Sequence, residues 1–226
     1  MKTKTITLYS FSELSEQAQN RAAHKYQDFM QDIYEENAND ILEQKATYWT
    51  KRTGIPIDKE NVSYSGFYSQ GDGLSFITDN EIDMSILVPY VLKQLERGTR
   101  ISRKILEISP EVLSKLYDLY SFYICRYQGN RYAHSGTVYC HWECNSIDSA
   151  CTAEEWDKYD VLAEELAALV NYVKNLICAD IYQALQDEND YVSNIKHIKE
   201  YFKKCDFYDW YADGTMYIEK EQSQNV

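Results

Sequence analysis

The sequence is poor in the residues that interrupt regular structure, with eight glycines and three prolines among 226 residues. No stretch rich in proline, glycine or serine separates one part of the chain from another, and no internal repeat is present. These absences exclude a long flexible linker and a repeat array. We therefore expect a single domain spanning residues 1–226, with a possible helical insertion at 80–120.

Long hydrophobic runs are also missing. The first twenty residues contain lysines but no apolar run of seven or more, and no later segment is apolar over the length that a membrane span requires. We expect no signal peptide, no membrane contact and a cytoplasmic location. In that reducing compartment the six cysteines are expected to be free thiols.

Basic residues are scarce, since 23 lysines and arginines face 36 aspartates and glutamates, for a net charge of −13. Direct binding to DNA or RNA requires a basic surface that neutralises phosphates. The charge therefore excludes direct nucleic-acid binding as the main activity. The charge favours a partner protein with a basic surface. The sequence does not predict the oligomeric state of the protein itself.

Motifs that carry chemistry are absent as well: the chain has no GxxxxGK[ST], no GxGxxG between a strand and a helix, and no CxxC pair. The one cluster of soft metal ligands comprises His134, Cys140, His141, Cys144 and Cys151. Adjacent strand residues such as Cys140 and His141 point to opposite faces, which argues against a tetrahedral zinc site. We expect no catalytic residues, no cofactor and no metal, and therefore a non-enzymatic binding protein.

Helical patterns occupy much of the chain. Ser12 or Ser15 can cap a first helix, and three- and four-residue apolar spacings continue from Leu14 to a stop at Gly54. Further helices are predicted at 83–96, after Ser109-Pro110 and at 192–204. The longest is predicted at 153–188, with a bend or break near Asp180, where the apolar stripe is interrupted.

Strand patterns occur in separate runs and do not strictly alternate with the helices. Residues 4–11 and 121–146 have strand composition, and residues 61–79 read as two strands folded about the Gly71-Asp72-Gly73 turn. A final hairpin is predicted with Asp213-Gly214 at its turn. Because strands and helices are segregated, we expect the α+β class, with an antiparallel sheet packed against several helices, including one long acidic helix in the C-terminal half.

The stretch YSGFYSQGDGLSF, residues 64–76, holds three of the eight glycines in thirteen residues. One interpretation is a turn that Asp72 caps with its own carboxylate. The other is a ligand loop formed by Ser69, Gln70, Gly71, Asp72 and Gly73, in which free amides and Ser75 bind an anion while Tyr64, Phe67 and Tyr68 stack on a ring. We favour the turn, because the overall charge opposes anionic ligands.

Acidic residues concentrate between Glu143 and Asp190, where twelve of them face only Lys158 and Lys174. One interpretation is a solvated helix face. The other is a row of carboxylates that mimics phosphates and binds a basic groove, carried by Glu154, Glu155, Asp157, Asp160, Glu164 and Glu165. A basic segment with Arg97, Arg100, Arg103 and Lys104 is an exposed loop, an internal charge partner or a secondary contact.

Four stretches carry a resemblance to a known family: YSFSELSEQAQNRA at 9–22, YSGFYSQGDGLSF at 64–76, YAHSG at 132–136, and the closing pattern from Phe207 to Gly214. With these, the chain resembles a family of bacteriophage accessory proteins that mostly have no assigned function and are sometimes labelled antitoxin-like. The resemblance implies a phage origin and a host-facing, non-structural role in the host cytoplasm, and it supplies no catalytic residues.

Together these features predict a phage-encoded protein that inhibits a host defence factor, such as a nuclease or a CRISPR-type effector, through an acidic surface that mimics nucleic acid. Two alternatives remain. One is a sponge that sequesters a small nucleotide signal in the glycine-rich loop, and the other is an antitoxin that neutralises a partner toxin.

Overall fold

The computed structural model describes residues 5–95, 108–130, 132–145, 151–205 and 207–218. It confirms the α+β class, with six helices and two antiparallel pairs of strands. The helices are α1 (Glu16–Lys25), α2 (Met30–Thr53), α3 (Met84–Leu95), α4 (Pro110–Leu119), α5 (Ala153–Val192) and α6 (Ile195–Lys204). The strands are β1 (Val62–Ser65), β2 (Gly73–Phe76), β3 (Tyr120–Arg126) and β4 (Val138–Cys144). None of the helices in the described ranges is long and apolar enough to span a membrane.

The chain divides into two compact units. The terminal unit is drawn from residues up to Ala38 and from Gln186 onward, and the central unit is Asn39–Leu185. Helices α2 and α5 contribute residues to both. The single domain expected for residues 1–226 stays a prediction. Within 80–120 lie α3 and α4, while the basic segment with Arg97, Arg100, Arg103 and Lys104 falls outside the described residues.

The strand predicted over 4–11 is not formed in its described part, residues 5–11. Within that part only Tyr9 pairs as in a sheet, exchanging two 2.9 Å backbone hydrogen bonds with Trp210. The strand is cut short because Ser10 and Glu13 form a capping box that starts a 3₁₀ turn at Phe11. Helix α1 then begins as predicted, with the Ser15 hydroxyl accepting from the first-turn amide of Ala18 at 3.2 Å.

Aromatic packing organises the terminal unit. The ring centroids of Phe11 and Phe202 lie 5.2 and 5.1 Å from that of Trp210, which is fully buried. Trp210 also pairs with Met216, so the predicted closing hairpin is present, with Gly214 at φ 86° in its turn. Helix α6 supplies Phe202 to this cluster and matches the predicted short helix at 192–204.

The central unit contains both strand pairs. Helix α2 ends at Gly54, as predicted, with φ 71°. Strands β1 and β2 pair antiparallel with Val62 opposite Phe76, and β3 pairs with β4 with Tyr120 opposite Cys144. The predicted turn at Gly71-Asp72-Gly73 is wider than expected, because Gly73 already belongs to β2 and residues 66–72 form the loop.

Helix α5 has 40 residues, which at 1.5 Å per residue makes it about 60 Å long. Of the bend or break predicted near Asp180, the break is wrong, because the helix continues through Asp180, and the bend stays a prediction. The Asp180 carboxylate accepts 2.8 Å hydrogen bonds from the Lys45 ammonium and the Trp49 indole. The apolar stripe is interrupted at Asp180, but these partners on α2 satisfy the charge and the helix is not broken.

Candidate functional site

Asp72 is the last residue of the 66–72 loop, and its carboxylate points back into the loop and accepts hydrogen bonds from loop amides. Its Oδ2 atom accepts from the amides of Tyr68 at 3.0 Å and Ser69 at 2.6 Å, while its own amide donates to the Ser69 carbonyl at 3.1 Å. Ser75, the proposed anion donor, is fully buried in β2. The loop thus offers an incoming anion a carboxylate at its centre and fewer amides than the ligand-loop interpretation requires.

The motifs at 64–76 and 132–136 lie against each other and against α5. A Cβ on Gly73 would lie 2.9 Å from Cδ2 of His134, so a larger residue at position 73 would displace the His134 ring. The Phe67 ring packs 5.4 Å from the Tyr182 ring, and the Tyr182 hydroxyl donates to the Gly66 carbonyl at 2.8 Å. The motifs at 64–76 and 132–136 therefore form one loop cluster in the central unit.

A buried lysine of α5 fixes the second loop of this cluster. The Lys174 ammonium is 3% exposed and donates to the carbonyls of Ser135 at 2.8 Å and Val138 at 2.6 Å. Burial lowers the pKa of Lys174. Sequence reasoning missed this role, although a signal was available. Lys174 follows Val170 by four residues and precedes Ile177 by three, which places a charge on the apolar stripe.

Of the cysteines and histidines considered for zinc, His134 lies in the loop, three lie on β4 and Cys151 lies just before α5. The Gly136 amide donates to His134 Nδ1 at 3.0 Å, and His141 Nε2 lies 3.2 Å from a carboxylate oxygen of Glu143. Cys140 is buried, whereas Cys144 is exposed. Within the part of the chain that the structure describes, no three histidine, cysteine, aspartate or glutamate side chains are placed to hold a metal ion.

Thiol reactivity should separate the buried from the exposed cysteines. Burial raises the pKa of Cys140 and of Cys178 to about 12, so at pH 8 their thiolate fraction is roughly a thousandfold below that of an ordinary thiol. Iodoacetamide at pH 8 should modify the exposed Cys144 first and spare these two, as read by peptide mass spectrometry. In denaturant all six should react. Equal modification of Cys140 and Cys144 in the folded protein would contradict this burial.

Two of the six acidic residues proposed for partner binding have local structural roles. Glu155 forms a capping box with Thr152, accepting from its amide at 2.8 Å, and this bond lowers the pKa of Glu155. Asp160 accepts a 2.6 Å hydrogen bond from the Tyr120 hydroxyl; burial, together with this bond, raises the pKa of Tyr120. These two carboxylates stabilise the start of α5 and its contact with β3.

Three others lie on the outer surface of α5. Glu154, Asp157 and Glu164 are exposed, and their spacings of three and seven residues place them on one face. They form no ion pair with any residue in the described ranges. We call these three residues the acidic face. Glu165 is half-buried beside it.

Comparison with known proteins places the chain in a family without giving it a function. No curated protein and no solved structure matches it. One family profile matches residues 29–194, which include the whole central unit and only short flanks of the terminal unit. Because this match covers well over half of the chain, the protein belongs to the family described as Domain of unknown function (DUF8835).

Proposed function

We propose that this protein is a non-enzymatic binding protein whose acidic face docks on a basic surface of a partner protein. The observation that carries the proposal is the exposure of Glu154, Asp157 and Glu164 on one side of a regular helix, without ion-pair partners among the described residues. A group of carboxylates without ion-pair partners attracts a basic surface over long range, which raises the association rate and selects among partners.

The spacing of these charges sets the size of the surface that they complement. Glu154 to Glu164 spans about 15 Å of helix axis, so the three charges of the acidic face lie about 7.5 Å apart on average, against one charge per 1.7 Å in duplex DNA. We therefore propose that it covers a patch of a few basic residues within a nucleic-acid groove and blocks that groove by its bulk.

The resemblance to phage accessory proteins suggests the biological setting. A phage benefits from blocking a host nuclease or CRISPR-type effector, and the nucleic-acid channels of such enzymes are basic. The nucleotide-sponge alternative has less support, because the Asp72 carboxylate lies at the centre of the loop that would bind phosphate. The antitoxin alternative is also a binding function and would differ in the identity of the partner.

Charge reversal tests the acidic face directly. A host partner is first captured by affinity pull-down and identified by mass spectrometry. Its affinity is then measured for a variant with Glu154, Asp157 and Glu164 changed to lysine. We expect a loss of at least a hundredfold, and a wild-type affinity that falls as salt rises, because exposed charges are screened within about 8 Å at physiological ionic strength. Glu155 is left unchanged because it caps α5.

A matched variant controls for net charge. Reversal of Glu60, Glu81 and Asp118 changes the charge equally at exposed positions of the central unit and should retain most of the affinity. Circular dichroism should show both variants folded. If the acidic-face variant binds the partner as tightly as wild type at low and at high salt, the acidic face is not the docking surface.

A further inference from the structure

An open cleft of about 380 Å³ lies in the central unit, between α2 and the segments that flank the first strand pair. Its inner wall is apolar, with Ala46 and Ile57 buried and Pro56 half-buried. Its remaining lining is polar and includes Glu43, Asp58, Lys59, Asn61 and Asp79. Three carboxylates against one ammonium give this lining a net formal charge of −2.

Two of these carboxylates are held in place by one oxygen each. Asp58 Oδ1 accepts from the Glu60 amide at 3.0 Å, and Asp79 Oδ2 accepts from the Asn61 side chain at 2.5 Å. The second oxygen of Asp58 and of Asp79 accepts no hydrogen bond from the described residues. Each carboxylate is therefore oriented before any ligand binds, and its second oxygen can accept a hydrogen bond from a ligand.

The third carboxylate already binds a cation. Lys59 Nζ lies 3.1 Å from Glu43 Oε2, and this bond, with the charges of Glu43, Glu60 and Asp40, raises the pKa of Lys59. The neighbouring surface of α2 shares Glu43 with the cleft and adds Asp40 and the exposed Tyr48. The cleft thus opens onto more negative charge, which attracts cations toward it.

We infer that this cleft binds an arginine side chain of a basic protein partner. A guanidinium group donates five hydrogen bonds in a planar fork and can reach two carboxylates at once, which a lysine ammonium does less well. The aliphatic stem of arginine would pack on Pro56 and Ile57 while its head meets Asp58 and Asp79. This site uses none of the residues of the acidic face and is independent of it.

A pair of short peptides tests the inference. The probe is acetyl-Gly-Gly-Arg-Gly-Gly-amide, and its control carries citrulline, which has nearly the same shape without the charge. In an NMR titration of the full chain, the arginine peptide should shift amide signals of residues 43–61 and 79–80. Its affinity should exceed that of the citrulline peptide by about tenfold or more, as expected for charge-assisted hydrogen bonds.

Substitutions in the cleft test whether Asp58 and Asp79 bind the arginine peptide. Asp58→Asn retains a capping side chain, and Asp79→Asn retains the shape of the residue, yet each should weaken arginine-peptide binding by about tenfold. Glu81→Gln removes an equal charge outside the cleft and should leave binding unchanged. Lys59→Ala should strengthen binding severalfold, because it releases Glu43 and removes a competing cation.

Equal affinity for the two peptides, or full binding by both asparagine variants, would overturn the inference. The acidic-face variant should bind the arginine peptide as wild type does. If the acidic-face variant loses the partner, and neither wild type nor any variant binds the arginine peptide, the arginine cleft alone is rejected. Peptide binding without any effect of the acidic face on the partner would reject the proposed docking surface alone.

Discussion

Replacing Gly214 by alanine is expected to lower the free energy of unfolding by about 3 kcal/mol. Gly214 has φ 86°, which is costly for any residue with a Cβ, and an added Cβ would lie 2.3 Å from the carbonyl oxygen of Ala18. That oxygen belongs to α1 and cannot move without disturbing the helix. Urea unfolding followed by circular dichroism would measure the loss.

Gly71→Ala is the matched control for this prediction. Gly71 also has positive φ, at 96°, but an added Cβ would meet no atom within 4 Å. The free energy of unfolding of the control should therefore fall by only about 1 kcal/mol, the cost of holding an alanine at positive φ. Equal losses in the two variants would show that the contact between Gly214 and Ala18 relaxes without cost.

Replacing Lys174 by methionine is expected to destabilise the protein by about 2–4 kcal/mol. The change removes the donor from the carbonyls of the half-buried Ser135 and the buried Val138. Part of this cost is offset, because the variant no longer buries a charge. Lys158→Met, an exposed position on the same helix, should change stability by about 0.5 kcal/mol or less. Thermal and urea unfolding of both variants would measure the difference.

The effect of Lys174 should also depend on pH. Because burial lowers its pKa in the folded state, the unfolded chain binds this proton more tightly than the folded chain does. Stability therefore rises with pH in the range between the lowered pKa and the ordinary value of 10.5. The advantage of wild type over the methionine variant should grow through that alkaline range. An advantage that shrinks there would contradict a buried, desolvated ammonium.

Among the candidate sites, the sequence identified residues better than it identified their roles. It placed Glu155 and Asp160 in a partner surface, but Glu155 caps its helix with Thr152 and Asp160 accepts from Tyr120. Charge patterning along a helix shows where carboxylates occur. It does not show that Asp160 faces a donor on β3, because Tyr120 is forty residues away in sequence. The role of Glu155 was missed although its signal is local, since a threonine three residues before a glutamate is the pattern of a capping box.

Local chemistry was determined by the sequence alone. The Ser15 cap, the serine and proline that start α4, and the stop at Gly54 all act within one helical turn, so neighbouring residues suffice to predict them. Tertiary structure decided the rest. Asp180 remains helical because Lys45 and Trp49 donate hydrogen bonds to its carboxylate. Lys174 is tolerated in the core because the carbonyls of Ser135 and Val138 accept hydrogen bonds from its ammonium. In each case, a polar group takes its stability from partners more than thirty residues away, and that pairing exists only once the chain has folded.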